Sequence, residues 1–265
     1  MTFDVASYNS IIDDIEDFLT KVDNSINVKI PNDKSDALDL PYVRLIPPLQ
    51  KLIKTAATKL IEAAQWMLNK IKEIYQGIRA PYEMYLRSND WADIRQIVTT
   101  TQSVIDANNL EANRTWRGAA QLSYLKTCTQ QSGAAKSLGD ISDKARSAMM
   151  DCAIGGAAFY AGILAITGGF IIGLMRAIAE MASGVGAGVS IADIAATSGV
   201  STAQLWAAVG LLTTFLGMQY KAFGEINSTL SDNGAFPGGA WPASQASTFN
   251  DASVEGDNES KWRLN

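Results

Sequence analysis

The chain has 265 residues, of which 47% are hydrophobic and 18% charged, and its formal net charge is −5. This length is enough to bury a sizeable core in one or two domains. The acidic balance disfavours a general nucleic-acid binder, whose affinity comes from neutralising phosphates. Histidine, the commonest general base and metal ligand, does not occur, and the two cysteines lack zinc-site spacing. We therefore expect a non-enzymatic protein with no cofactor, no metal, no nucleic-acid partner and no small-molecule substrate.

Apolar residues recur at three- and four-residue steps along most of the chain, which predicts an all-α helical bundle of long antiparallel helices. In residues 1–48 we expect a short amphipathic helix followed by a proline-rich linker, because proline removes a backbone donor and clashes with the preceding turn. The prolines of this linker are Pro31, Pro41, Pro47 and Pro48. Residues 1–24 lack a basic start and an apolar run, so we expect no cleavable signal peptide.

Residues 49–151 form the next predicted region. A near-heptad apolar stripe predicts one long helix that begins at Leu49 and ends near Pro81. After a link over residues 82–89, Asp90 is placed to cap a helix that carries Trp91 on its apolar face. A turn centred on Trp116 then leads into a second arm that reaches about residue 150, with a break at 132–133 or 139 left open. The two arms predict an antiparallel helical hairpin.

The turn carries a recognisable pattern. Trp116 and Gly118 are followed by Ala119-Ala120 and then by Tyr124. Together with the helix opening at residues 86–91, this pattern resembles the WXG family, in particular its longer actinobacterial members. The resemblance covers residues 86–153, about a quarter of the chain. The alternative from the residues alone is an ordinary helical hairpin whose tryptophan fills the space between the arms.

The resemblance implies a function. WXG proteins are helical substrates of the ESX-type (type VII) secretion system, and many act in pairs. It therefore implies a non-enzymatic secretion substrate or effector that forms a WXG-type heterodimer or a homo-oligomer and is secreted or associated with the cell envelope. One feature departs from the family. The export signal Tyr-x-x-x-Asp/Glu is missing, since Tyr124, Tyr160 and Tyr220 are followed at the fourth position by Cys128, Leu164 and Gly224. A partner would have to supply that signal.

The region 152–230 is rich in glycine and predicts a hydrophobic helical hairpin. Residues 152–175 and 194–220 contain no charge, and each stretch can span a hydrocarbon core of about 30 Å. Gly169 and Gly173 form a G-x-x-x-G pair that lets helices approach closely, and Trp206 is a further candidate for membrane or helix contact. The hairpin either inserts into a membrane or is buried inside a soluble oligomer. An α-helical pore-forming toxin component and an envelope membrane protein with a two-helix hairpin are therefore alternative functions.

Two stretches complete the chain. Residues 231–265 are rich in Gly, Pro, Ser, Asn and Asp and predict a disordered C-terminal tail, in which Trp241, Phe249 and Trp262 are possible docking aromatics. Residues 190–205 resemble the helix-turn-helix of bacterial repressors. Since no lysine or arginine occurs between Arg176 and Lys221, this stretch offers no cation to a phosphate and we exclude DNA reading.

Overall fold

The structure is a computed structural model that describes residues 2–184, 187–231, 234–243 and 263–264. Helices account for most of this part of the chain, so the predicted all-α class is confirmed. Contacts divide the chain into two compact units. Unit 1 comprises residues 1–83 and 153–216, and unit 2 comprises residues 84–152 and 217–265. The chain passes from unit 2 to unit 1 between residues 152 and 153, and residues 49–83 belong to unit 1 together with 153–216.

The N-terminal segment of unit 1 is helical almost throughout. Helix α1 (Val5–Asn24) is capped by Asp4, whose carboxylate accepts a hydrogen bond from the Ala6 N–H at 3.0 Å. A π-helical turn (Ser25–Lys29) leads into helix α2 (Ile30–Asp39), and a short helix α3 (Pro41–Arg44) follows. The prediction of a linker is therefore wrong for most of these residues. The backbone is non-helical at Leu40 and Ile46, and helices occupy most of the remaining positions.

The prolines explain this correction. Pro31, Pro41 and Pro47 all lie in the first turn of a helix, where a missing N–H costs nothing. The π-helical turn accommodates Pro31 within a continuous run, because the Ile30 N–H donates to the Ser25 carbonyl five residues back. Sequence reasoning treated each proline as a break, whereas only two of these positions follow a non-helical residue.

Helix α4 (Pro47–Tyr75) confirms the predicted long helix, with ends shifted by a few residues. Its apolar stripe is buried against α1 and α2 and forms much of the core of unit 1. The buried residues are Ile53, Ala56, Ala57, Leu60, Ala64, Met67, Leu68 and Ile71. On its outer side Lys59 pairs with Glu62 and Lys70 with Glu73, at 2.7 and 2.8 Å. These i,i+3 pairs are solvated and contribute little to stability.

Helix α5 (Ala80–Ile105) begins well before the predicted start. Residues 82–89 are helical rather than a link, and Asp90 pairs with Arg87 at 3.0 Å instead of capping the helix. Pro81 starts the helix without breaking it, because its position in the first turn needs no donor. A four-residue helix α6 (Ala112–Thr115) and an extended pair β1 (Trp116–Arg117) follow.

Helix α7 (Ala119–Ala182) runs for 64 residues without a break at 132–133 or 139. The glycines there cost about 1 kcal/mol each relative to alanine, which the buried Ala134, Ala135 and Ile141 offset by packing. Cys128 and Cys152 lie on this one helix, both buried and both free. The helix is continuous between them and rises about 36 Å, which is far beyond the reach of a disulfide.

Helix α8 (Ala187–Leu230) follows α7 after a turn at Gly184. Gly184 has φ +73°, and a Cβ there would meet the Tyr42 hydroxyl and Val43 at 3.1 Å, so the turn requires glycine. The Tyr42 hydroxyl donates to the Ser183 carbonyl at 2.7 Å and holds the turn against α3 within unit 1. Residues 190–205 lie inside α8 with no intervening turn, which is incompatible with a helix-turn-helix.

The C-terminal region packs in part on unit 2. Phe236 is buried with Ala134, Ile141, Ala145 and Ile226 in one apolar cluster. The Gln131 side chain donates to the Pro242 carbonyl at 3.0 Å, and β2 (Arg263–Leu264) pairs antiparallel with β1. The prediction of a fully disordered tail is therefore wrong for the described residues. Burial of the Phe236 side chain in this cluster stabilises a stretch whose polar composition predicted disorder. Trp241 is exposed, and Phe249 and Trp262 lie outside the described residues.

Candidate functional site

Two surfaces carry the predicted site residues, the Trp-x-Gly turn in unit 2 and an exposed apolar face in unit 1. In the turn, Trp116 has extended backbone angles (φ −96°, ψ 156°) that end α6. Gly118 has φ +99°, a conformation that side chains rarely adopt. Ala119 and Ala120 then begin α7. The motif glycine is thus required by the backbone, because it reverses the chain between an extended pair and a long helix.

The motif aromatics meet on one side of this turn. The rings of Trp116 and Tyr124 lie 5.5 Å apart at 45°. A hydrogen bond with the Cys128 thiol raises the pKa of the Tyr124 hydroxyl, so the group stays protonated and can donate. Trp116 is half-buried and Tyr124 borders on exposed, which leaves part of both rings accessible. The structure brings these two predicted residues together as a shallow aromatic platform.

A residue that the sequence analysis missed fixes the turn. Gln121 is buried, and its side chain donates to the Ala112 carbonyl at 3.1 Å. This bond ties the short helix α6 to the first turn of α7, at a carbonyl that also accepts the Trp116 backbone N–H. A glutamine one residue after Ala-Ala on an apolar helix face was the available signal, since buried amides are generally hydrogen-bonded.

Trp91 belongs elsewhere in unit 2. It packs against the cluster formed by Ala134, Ile141, Ala145, Ile226 and Phe236. This cluster begins fifteen residues after Ala119 on α7, about 22 Å along the helix by its rise. Trp91 and Trp116 were predicted as parts of one motif, but they occupy different layers and Trp91 acts as a core residue.

The second surface lies on α7 and α8 within unit 1. Trp206 is 63% exposed, Leu211 74% and Ile172 72%, although each belongs to an uncharged stretch. Of the described residues 202–216 on α8, Leu205 is the one fully buried. Exposed large apolar side chains of this kind are candidates for contact with a partner or a membrane.

The predicted packing glycines take different positions on this surface. Gly169 is exposed, and no atom lies within 4 Å of the place where a Cβ would sit. Gly173 is half-buried. The G-x-x-x-G pair therefore leaves room at Gly169, and that space is available to a partner or to lipid.

Trp206 also lines a small cavity. The cavity measures about 180 Å³ and places Trp206 and Trp66 on a common wall with Lys70 and Glu73. Because the Lys70–Glu73 pair neutralises its own charge, the cavity presents aromatic surface with little net charge. Trp66 was not among the predicted site residues; it is half-buried and lies off the buried stripe of α4, and the sequence gave no sign that it would lie beside Trp206.

Within the described residues one helix is long and apolar enough to cross a membrane. It covers Gln121–Ala182, and its most apolar 18-residue window has a mean hydropathy of 1.9 with 28% of the window buried. No group of three or more acidic, cysteine or histidine side chains among those residues could hold a metal ion. No family model, curated protein or solved structure matches this chain.

Proposed function

We propose that this protein is a non-enzymatic, membrane-associating helical protein whose α7–α8 hairpin contacts lipid hydrocarbon. The observation that carries the proposal is the exposure of Trp206 and Leu211 on a helix with no charge between residues 194 and 220. At 100° per residue, the exposed positions of α8 in unit 1 cover roughly half of its circumference. One further helix packed against α8 would bury much less than half of its circumference, whereas a surrounding bilayer would contact all of the exposed part.

The free energy of burying apolar side chains also favours contact with lipid. Removing a large apolar side chain from water contributes about 1.5–3 kcal/mol when it is fully buried, and the exposed fractions of Trp206, Leu211 and Ile172 leave more than half of that unrealised. Residues 152–175 of α7 contain no charge and extend about 36 Å by helix rise, against about 30 Å of hydrocarbon. Asp151 and Arg176 flank this stretch, where they would reach the headgroups.

Flotation with liposomes tests this proposal. Purified chain is mixed with phosphatidylglycerol vesicles and centrifuged through a density gradient, and we expect the chain to rise with the lipid. Leu211→Glu should reduce the floating fraction at least tenfold. Thr58→Glu, at an exposed position on the outer side of α4, is the matched control and should float like the parent. If the parent chain stays at the bottom as a soluble oligomer, the α7–α8 face is a subunit interface instead.

We also propose that the protein is a substrate or effector of an ESX-type secretion system. The supporting observation is the platform of Trp116 and Tyr124 beside a turn whose Gly118 has φ +99°. A partially exposed aromatic pair of this kind suits recognition by a partner protein, because aromatics dominate interface energies. Such a partner, or a second copy of the chain, would provide the export signal that this sequence lacks.

The export proposal has its own experiment. The chain is expressed in an actinobacterial host with the secretion system intact or deleted, and its amount in the culture filtrate is measured. We expect export only from the intact host, and Trp116→Ala should abolish it while Trp241→Ala, another accessible tryptophan, should not. Equal amounts in both filtrates would contradict export by this route. Release of dye from vesicles by the exported chain would favour the pore-forming alternative.

A further inference from the structure

A groove runs between α7 and α8 on the exposed side of unit 1. It has a volume of about 320 Å³, which falls at the low end of small-ligand sites. Its lining is wholly uncharged and consists of Gly155, Ala158, Phe159, Gly162, Ala208, Leu211, Leu212 and Phe215. The small residues on α7 keep the groove open, and the aromatic and leucine side chains form its walls.

The two ends of the groove differ. At Gly155 an added Cβ would lie 2.7 Å from the Phe215 ring, so this ring rests directly on the glycine and closes one end. At Gly162, about two helical turns further along α7, no atom lies within 4 Å of the place where a Cβ would sit. Ala158, Gly162 and Leu211 are exposed, so the open end meets the apolar surface of α8.

We propose that this groove binds one acyl chain of a membrane phospholipid. The inference rests on the proposed function, because it assumes that this face meets lipid. The lining offers no side-chain donor or acceptor, and a polar ligand or an extended peptide would lose its water without a replacement partner. Nearby hydroxyls do not change this, since Thr213 and Thr214 donate to the Val209 and Gly210 carbonyls of their own helix at 2.9 and 3.0 Å. An alkyl chain has no such groups to satisfy.

Spin-labelled lipid tests the groove directly. Phosphatidylglycerol with a nitroxide near the end of one acyl chain is added to phosphatidylglycerol vesicles, and the immobilised fraction is measured by electron paramagnetic resonance. We expect an immobilised component with the parent chain. Gly162→Leu, which fills the groove, should reduce it at least fivefold, and Ala208→Leu should do the same from α8. Gly133→Leu is the matched control, because Gly133 is an exposed glycine on the same helix, outside both the groove and the uncharged stretch 152–175.

The arms of this experiment separate the groove from the proposed function. If the parent chain floats with vesicles but immobilises no label, the groove inference is wrong and membrane association stands. If it fails to float yet immobilises spin-labelled stearate in vesicle-free buffer, a free fatty acid rather than a phospholipid occupies the groove, and both proposals are overturned as stated. Equal loss of the immobilised component in Gly133→Leu contradicts the groove as its source. A dimer in buffer that Gly162→Leu dissociates, with no immobilised lipid, would assign the groove to a second copy.

Discussion

Helices α4 and α8 are both long and rich in apolar residues, yet the large apolar side chains are mostly buried on α4 and largely exposed on α8. Helix α4 buries Leu60 and Met67 against α1 and α2 and turns lysines outward. Helix α8 carries no charge between residues 194 and 220 and exposes Trp206 and Leu211. The apolar face of an amphipathic helix is covered inside its own domain, whereas exposed large apolar side chains on an uncharged helix stretch are left for lipid or another subunit to cover. On our proposal, this difference makes α8 the helix that contacts lipid.

The largest effect is expected from matched leucine substitutions on these two helices. Leu60 is 1% exposed and Leu211 is 74% exposed. Leu60→Ala should lower the free energy of unfolding by about 2–5 kcal/mol through lost burial and the cavity left behind. Leu211→Ala should change it by less than about 0.5 kcal/mol. Urea denaturation of both variants in lipid-free buffer measures this, and equal losses would mean that α8 is packed in solution as fully as α4.

The next effect concerns the C-terminal region. Phe236 is 8% exposed within the cluster of unit 2, so Phe236→Ala should lower the free energy of unfolding by about 2–4 kcal/mol. Truncation after residue 243 should cost much less, because it retains Phe236 and Pro242. Thermal melts of the variant and the truncated chain compare the two. A truncation that costs as much as Phe236→Ala would place the main C-terminal contribution beyond Ala243.

A smaller effect is expected at the turn. Gly118 has φ +99°, so Gly118→Ala should lower the free energy of unfolding by about 1–2 kcal/mol through backbone strain. Gly133→Ala is the control, since Gly133 is helical and has no atom within 4 Å of an added Cβ; this change should stabilise by a few tenths to about 1 kcal/mol. Chemical denaturation, followed by circular dichroism, measures the free energy of unfolding of both variants. A stabilising Gly118→Ala would show that the turn relaxes without its left-handed residue.

The smallest effect appears only at alkaline pH. Burial raises the pKa of the Tyr8 hydroxyl, which donates to the Ile78 carbonyl. The folded state then holds this proton where the unfolded chain releases it. The resulting stability is full below the unfolded pKa of about 10 and falls by about 1.4 kcal/mol per pH unit above it. Tyr8→Phe should therefore lose less stability than the parent between pH 10 and 11 in paired denaturation curves, whereas Tyr220→Phe, at an exposed site, should follow the parent. Parallel curves for Tyr8→Phe and the parent would contradict the assigned cause.

The sequence by itself determined the helical class and the long helix α4, because three- and four-residue apolar spacing reports directly which face a helix buries. It also singled out Trp116, Gly118 and Tyr124, which the structure places together in one turn. These are local properties: periodicity within one helix and backbone freedom at one glycine. The prediction of a proline-rich linker failed because proline lacks a backbone N–H but is still tolerated in the first turn of a helix, where Pro31, Pro41 and Pro47 lie.

Only the tertiary structure decided which apolar surface stays uncovered. Residues 152–175 and 194–220 read alike, as uncharged stretches rich in small residues. Within unit 1 the structure buries Ile163 and Leu174 on α7 while leaving Ile172 and Leu211 exposed. Likewise Phe236 lies in a polar stretch whose composition predicts disorder, yet it is buried in one apolar cluster with Ala134 and Ile141 of α7. Burial depends on contacts between residues far apart in the chain, and such contacts leave no periodic signal in either segment.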